Sequence, residues 1–338
     1  MSDLPFVFAC PICHRPLEVA TASRLVDFQP TAAVSAAFYC AHDNKLYAYE
    51  DGIWRFLTPE HCDYFSAFVA QYEAVRRVEG WGADSATYYR SLPFADSADR
   101  FSRIWRIRAQ SFRTLVGDVV RPHAAARRRP LKILDLGAGN CWLSYRLTQE
   151  GHHLAAVDIL TNRFDGLGAA VWYEPEVALL RAQAAFDRLP FAAEQADLVV
   201  FNGSFHYSID YAVTLEEALR VLRADGRLII MDTPLYDQPR SGARMVSERE
   251  EELQRRFGFS SSALPHESYL TLGRLRDLAA HSEVHWQLIK SSDGWRRTLR
   301  AWKARLLGRR QPATFDLIVI TPPSQISHHG SSPEHLGR

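Results

Sequence analysis

No uninterrupted apolar run in this chain approaches the roughly eighteen residues that a membrane-crossing helix needs. The first residues, MSDLPFVFACPIC, also lack the basic segment and the long apolar stretch of a secretory leader. Both absences lead to the expectation of a soluble, cytoplasmic protein. A surplus of one charge is missing too: 40 basic residues stand against 39 acidic ones, a net charge of +1, so any affinity for nucleic acid or an anionic surface must come from local clustering. No repeat period is visible. The cysteines number five, an odd count, and three of them fall within the first forty residues, a distribution that suits a metal site better than a disulfide framework.

At 338 residues the chain exceeds a usual single core, which implies two domains or one domain with large additions. Residues 1–57 carry the cysteines and the alternating aromatics Tyr47, Tyr49, Trp54 and Phe56 around Asp51-Gly52, the pattern of short strands joined by turns. Residues 58–125 turn helical, with apolar positions at Phe65, Phe68, Val69 and Tyr72 and again at Ile104, Ile107, Phe112, Leu115 and Val116, and are read as a connecting cover. From 126 to 322, strand and helix patterns alternate: KILDLG, a helix from Cys141, HLAAVD, a helical segment near 166, DLVVFN, TLEEALRVLR and GRLIIMD. That alternation predicts βαβ units, hence an α/β, doubly wound parallel sheet. A helical insertion over 243–281 and two further strands, HWQLIK and FDLIVI, follow, and residues 323–338 read as a disordered tail.

The sharpest motif is LDLGAGN, in which a strand ending at Asp135 runs into Gly137-Ala138-Gly139 before a helix. Glycine suits a sharp turn where the backbone must approach a ligand closely. A dinucleotide-binding version would place a third glycine three positions after Gly139, and Trp142 stands there instead. About twenty residues on, Asp158 ends the second strand, where a carboxylate can accept hydrogen bonds from both hydroxyls of a ribose. The plain alternative is a tight turn at the two glycines and a helix cap at Asp158.

With these motifs the chain resembles the class I methyltransferases that use S-adenosylmethionine (SAM), especially the group containing quinone-biosynthesis and other small-molecule enzymes. FDRLPF, ADLVVFNGSFHY and LRVLRADGRLII match further elements of that family in the same order. The resemblance implies a Rossmann-like seven-stranded sheet and a SAM site. In that site Gly137 and Gly139 lie against the methionine part, Asp135 supports the loop and Asp158 holds the ribose, with Ala138, Leu189 and Asn202 completing the set. The family's adenine-contacting acid falls at the place of Ala185, so Asp187, two residues before Leu189, is the substitute expected to reach the adenine amino group, or else a surface carboxylate. The turn reads Ala224-Asp225-Gly226 where the family has Pro-Gly-Gly.

Methyl transfer from a sulfonium depends on alignment, and a base is needed only where the nucleophile must lose a proton. Beyond the fourth strand stand Asn202, Ser204, His206 and Tyr207. This edge resembles that of small-molecule methyltransferases and lacks the Pro-Pro-aromatic signature of amide methylation. His206 and Tyr207 are the catalytic candidates, His206 as a general base or as a satisfied rim histidine. Tyr88 and Tyr89 are read as part of a lid or as core aromatics.

Cys10-x-x-Cys13 and Cys40 look like a zinc knuckle facing an incomplete second one, with Asp43 by spacing, or His42 by chemistry, as the fourth ligand of a structural zinc ion. Buried apolar cysteines are the alternative. Together with YEDGIWRFL, the segment resembles the zinc ribbon of ribosomal-RNA guanine methyltransferases and the zinc-binding activator subunit of tRNA and protein methyltransferases. Finally, residues 295–310 place Trp295, Leu299, Trp302 and Leu306 on one helical stripe and seven Arg or Lys elsewhere with no acid, a possible site for an anionic partner or an ordinary solvated helix. The sequence thus leaves three functions open: methylation of a small molecule, which the fourth-strand edge favours; methylation of RNA through the ribbon and basic helix; and a non-catalytic SAM-binding adaptor.

Overall fold

The computed structural model describes residues 4–21, 36–94, 101–258, 263–290 and 310–323. Its centre is a parallel sheet of β5 (Lys132–Leu136), β6 (His153–Asp158), β7 (Leu180–Gln183), β8 (Ala196–Asn202) and β9 (Leu222–Met231), paired in the order β7-β6-β5-β8-β9. β13 (Leu317–Thr321) joins β9 antiparallel, and β12 (His285–Ile289) pairs antiparallel with β13 at the edge. Along β5 the residues alternate between two cores: Leu134 and Leu136 pack into one, Ile133 into the other. That is the period-two geometry of a strand covered on both faces, and it explains why KILDL reads as a nearly continuous apolar run.

The N-terminal strands do not stand apart. β1 (Glu18–Val19), β2 (Ala36–Cys40), β3 (Lys45–Glu50) and β4 (Ile53–Arg55) form an antiparallel meander, and β4 then pairs in parallel with β7 through Trp54–Ala182 and Arg55–Gln183. Among the described residues the sheet has eleven strands, where seven and a separate module are expected from the sequence. The physical reason is the aromatic face of the meander. Phe8 stacks on Phe191 with ring centroids 5.4 Å apart and meets the Phe56 ring at a tilt with centroids 5.0 Å apart, so this face buries itself in the core formed by Leu134, Leu189 and Phe201. The same joint removes the open edge that β7 would present.

Helix α1 (Pro59–Glu79) starts at Thr58, whose hydroxyl accepts the His61 N–H, and stops at Gly80 in the left-handed region. After α2 (Ala86–Ser91), α3 (Ser102–Thr114) runs through a π-helical turn, Leu115–Val120, into α4 (Arg121–Arg127). α5 (Trp142–Gln149) follows the glycine turn, and α6 (Tyr211–Val221) is capped by Asp210. The segment near 166 is a short 3-10 helix, Leu167–Tyr173, and the insertion is two helices, α7 (Pro239–Phe257) and α8 (Leu272–His281), whose leading strands β10 (Leu235–Tyr236) and β11 (Leu270–Thr271) pair in parallel. Among the described residues no helix is long and apolar enough to cross a membrane. The basic segment, except Arg310, and the tail from 324 lie outside the described residues.

Candidate functional site

The carboxyl ends of β5, β6 and β8 open into a cavity of about 400 Å³, a size found for pockets that take small molecules. Gly137 and Gly139 form its floor at φ +73° and +51°. A β-carbon at Gly137 would stand 2.3 Å from that of Ser204, so the close approach of the two loops requires glycine there. Asp158, 7% exposed, reaches across from β6: one oxygen accepts the Gly139 N–H at 2.8 Å and the other the Leu160 N–H at 2.8 Å. Burial pushes its carboxyl up to about 6. Each oxygen keeps a second lone pair for a ligand hydroxyl.

Asp135 lies beneath this floor, fully buried, with one oxygen bonded to the Ser144 hydroxyl at 2.8 Å and the other without a partner, and burial raises its carboxyl to about 7. Ala138, Leu189 and Asn202 are not among the lining residues: Leu189 is core and gives its N–H to Glu217, and the Asn202 carbonyl oxygen is buried without a partner. Asp187 and Ala185 both line the cavity, and Asp187 is exposed at its rim.

The roof is α1. His61, Tyr64, Phe65, Phe68 and Tyr72 project from it over the glycine floor; helical spacing in the sequence identifies Phe65, Phe68 and Tyr72, though only as part of a cover, and misses His61 and Tyr64. An ion pair between Arg76 and Asp165 fixes this helix to the loop after β6, and the Arg76 guanidinium lies 3.7 Å from the Trp81 ring centre. Tyr88 and Tyr89 do not line this cavity: Tyr89 belongs to the core, and Tyr88, only partly buried, packs against that core. Tyr89 is fully buried, donates to the Phe164 carbonyl at 2.6 Å and stacks on Trp172.

At the other wall Tyr207 faces the cavity, as do Gly203, Ser204 and Ser208, whereas His206 does not line it. The His206 ring is buried, with Nδ1 3.4 Å from the Thr233 hydroxyl, and burial, aided by Arg249, His266 and Arg108, lowers its pKa to about 3. A histidine so weakly basic is a poor acceptor for a substrate proton at neutral pH.

In the N-terminal segment, whose Pro11 and Ile12 share a small pocket with His61 and Ala185 of the cavity wall, Cys10, Cys13, Cys40 and Asp43 bring their ligand atoms within 4.8 Å of one another. The Cys13 and Cys40 sulfurs are 3.6 Å apart, and an Asp43 oxygen lies 3.1 Å from the Cys10 sulfur and 3.4 Å from that of Cys40. Three sulfurs and one oxygen at such spacing suit a tetrahedral zinc ion. The exposed His42 is outside this group, its Nδ1 lying 3.0 Å from the outer oxygen of Asp43, while the Asp43 N–H points to the Cys40 sulfur and the Tyr47 hydroxyl meets that of Cys10. Contacts of this kind orient ligands where a metal is bound.

Residues 134–230 match the family model described as a methyltransferase domain. An uncharacterized methyltransferase of Mycobacterium tuberculosis is 37% identical over 105 residues, 31% of this chain and 39% of that protein. The malonyl-[acyl-carrier protein] O-methyltransferase of Hahella chejuensis is 34% identical over 102 residues, 30% of this chain and 36% of that one. This chain thus spans well under half the length of these relatives. Among solved structures, magnesium protoporphyrin IX methyltransferase from Synechocystis, with bound SAH, aligns at 14% identity and a TM-score of 0.45 over 77% of this chain and 97% of that one. The stretch similar to a methyltransferase domain, residues 134–230, contains the glycine turn, Asp158 and the β8 edge.

Proposed function

We propose that this chain is a cytoplasmic SAM-dependent methyltransferase whose acceptor is a small molecule. The observation that carries the reading is the roofed cavity itself, which joins the glycine floor and the Asp158 carboxylate to an aromatic wall from α1. When bound, the cofactor supplies a methyl group on a sulfonium, open to in-line displacement by a nucleophile held on the opposite side. Gly137 and Gly139 admit its amino-acid part, Asp158 accepts from its ribose hydroxyls, and Asp187 at the rim is the acceptor for its adenine amino group. Phe65, Phe68, Tyr72 and Tyr207 exclude water and hold the acceptor against the methyl group. With His206 buried and weakly basic, positioning by Tyr207 replaces base catalysis by His206 in this mechanism.

An enclosed cavity under a helix favours a small acceptor over a base within an RNA duplex, which would have to be flipped out to reach it. A structural zinc ion on Cys10, Cys13, Cys40 and Asp43 belongs to the same reading, and free thiols grouped as ligands suit a reducing compartment.

The test is transfer of label from methyl-labelled SAM into a small-molecule extract and, separately, into total RNA. Label is expected in the small-molecule fraction and absent with Asp158→Ala. Label confined to RNA would overturn the acceptor class, and SAM binding without transfer to any acceptor would leave an adaptor.

A further inference from the structure

Behind the aromatic wall lies a second, smaller cavity of about 70 Å³. Phe68, Tyr72 and Tyr207 line both cavities, so the two adjoin at these three rings; the Tyr72 and Tyr207 rings meet edge to face with centroids 6.0 Å apart. Room for about two water-sized groups is what a carboxylate or a phosphate needs.

The far side carries two guanidiniums, Arg76 and Arg249, and the imidazole of His266, whose protonation burial and Arg249 oppose; among the described lining residues the one carboxylate is Glu79, which accepts the Trp81 indole N–H at 2.9 Å. Arg76 is committed to Asp165. Arg249, from α7, bonds the Tyr207 hydroxyl and feels the charge of Glu79, and no described carboxylate forms a direct ion pair with it. His266 bonds the Ser268 hydroxyl through Nδ1 at 2.8 Å and packs against Tyr207 with ring centroids 5.3 Å apart, which leaves Nε2 for another partner. The Gln71 carboxamide oxygen is buried here without a partner; turned over, the same amide offers N–H donors. The field of Arg249, His266 and Arg108 is felt as far as His206, whose protonation it opposes.

A guanidinium in a small cavity that adjoins the methyl-transfer chamber is suited to a planar or tetrahedral oxyanion. We propose that the smaller cavity binds an anionic oxygen group of the methyl acceptor, with Arg249 as its charge partner and His266 and Gln71 as hydrogen-bond partners. The acceptor is then an acidic small molecule. Because the anionic group sits in the smaller cavity and the methyl group in the larger, the anionic group is not the atom that is methylated, and the product stays anionic. This inference rests on the methyltransferase reading given above, and its test is arranged so that the two fail separately.

Thermal melting of the full chain saturated with S-adenosylhomocysteine is followed against sodium acetate, sodium phosphate and sodium chloride at equal ionic strength, in the wild type and in Arg249→Gln. Acetate or phosphate is expected to raise the melting temperature above that in chloride, the more effective ion identifying carboxylate or phosphate, and the excess should vanish in Arg249→Gln while its affinity for SAM stays within twofold. In the label-transfer reaction the methylated product should be retained by an anion exchanger, and Arg249→Gln should raise the acceptor KM at least tenfold with little change in kcat. A product that passes the exchanger unretained, or ion effects equal in wild type and variant, would overturn the anionic subsite while leaving methyl transfer standing. Failure to bind SAM with the ion effect intact would overturn the methyltransferase reading and leave the anion site.

Discussion

Asp158 holds Gly139: the carboxylate at the end of β6 accepts the glycine N–H at 2.8 Å, tying the turn after β5 to the next strand. The group expected to bind the ribose thus also shapes the floor on which the methionine part would lie. Asp158→Ala removes two charge-assisted hydrogen bonds to a ligand, a cost on the order of 3 kcal/mol or roughly a hundredfold in SAM affinity. It also frees the N–H groups of Gly139 and Leu160, so the variant should melt lower even without ligand. Calorimetry and melting curves on the same sample check both; an unchanged affinity would remove Asp158 from the site.

Much of this was legible in the sequence because strand, turn and acid stand in a local order. LDLGAG and AVD each occupy a few consecutive residues, and their physical role follows from where strands end. The roof was not legible in the same way. Phe65, Phe68 and Tyr72 have the spacing of any buried helical stripe, and only the docking of α1 through Arg76 and Asp165, far apart in the chain, turns that stripe toward the cavity. Nor did the pattern around Tyr49 and Trp54 show that β4 would pair with β7, since a short amphipathic strand carries no mark of its distant neighbour. The two readings of His206 could not be separated for a related reason: its type is visible in the sequence, its burial is not.

The Arg76–Asp165 pair gives a second prediction. Both side chains are largely buried, at 13% and 7% exposure, so Asp165→Asn leaves a charge without its partner and should cost about 3–5 kcal/mol. Because Tyr72 and Phe68 ride on the same helix, SAM affinity should fall together with the melting temperature. Loss of stability at constant affinity would show that α1 is not the roof of the working site.

The buried carboxyls give a third. Asp135 titrates near 7 and Asp158 near 6, both raised by burial, whereas an unfolded aspartate titrates near 4. The folded state therefore binds more protons than the unfolded chain between about pH 4 and 7. The stability these groups lend is full below pH 4 and lost as pH rises through 6 to 7. Asp135→Asn, which retains a partner for Ser144, should gain on the wild type at pH 8 and lose that advantage at pH 5. Melting curves of the two that stay parallel across this range would contradict the assignment.

The cysteine group gives a fourth. Metal analysis should find about one zinc per chain, and Asp43→Ala should bind it more weakly while His42→Ala retains it. The metal-ligand segment packs through Phe8 on Phe191, just after the loop that lines the cavity, so removing zinc with a chelator should lower SAM affinity as well as stability. A chelated protein of unchanged melting temperature would exclude a structural metal.

The central claim is that the roofed cavity at the glycine turn holds SAM. Its most direct test is a calorimetric titration of SAM into the metal-loaded wild type and into Gly137→Val, whose side chain would fill the space against Ser204 and Phe186. One site of micromolar affinity in the wild type, lost in a variant that circular dichroism shows to be folded, is the predicted result. No binding to the folded wild type, or equal binding by both proteins, would contradict it.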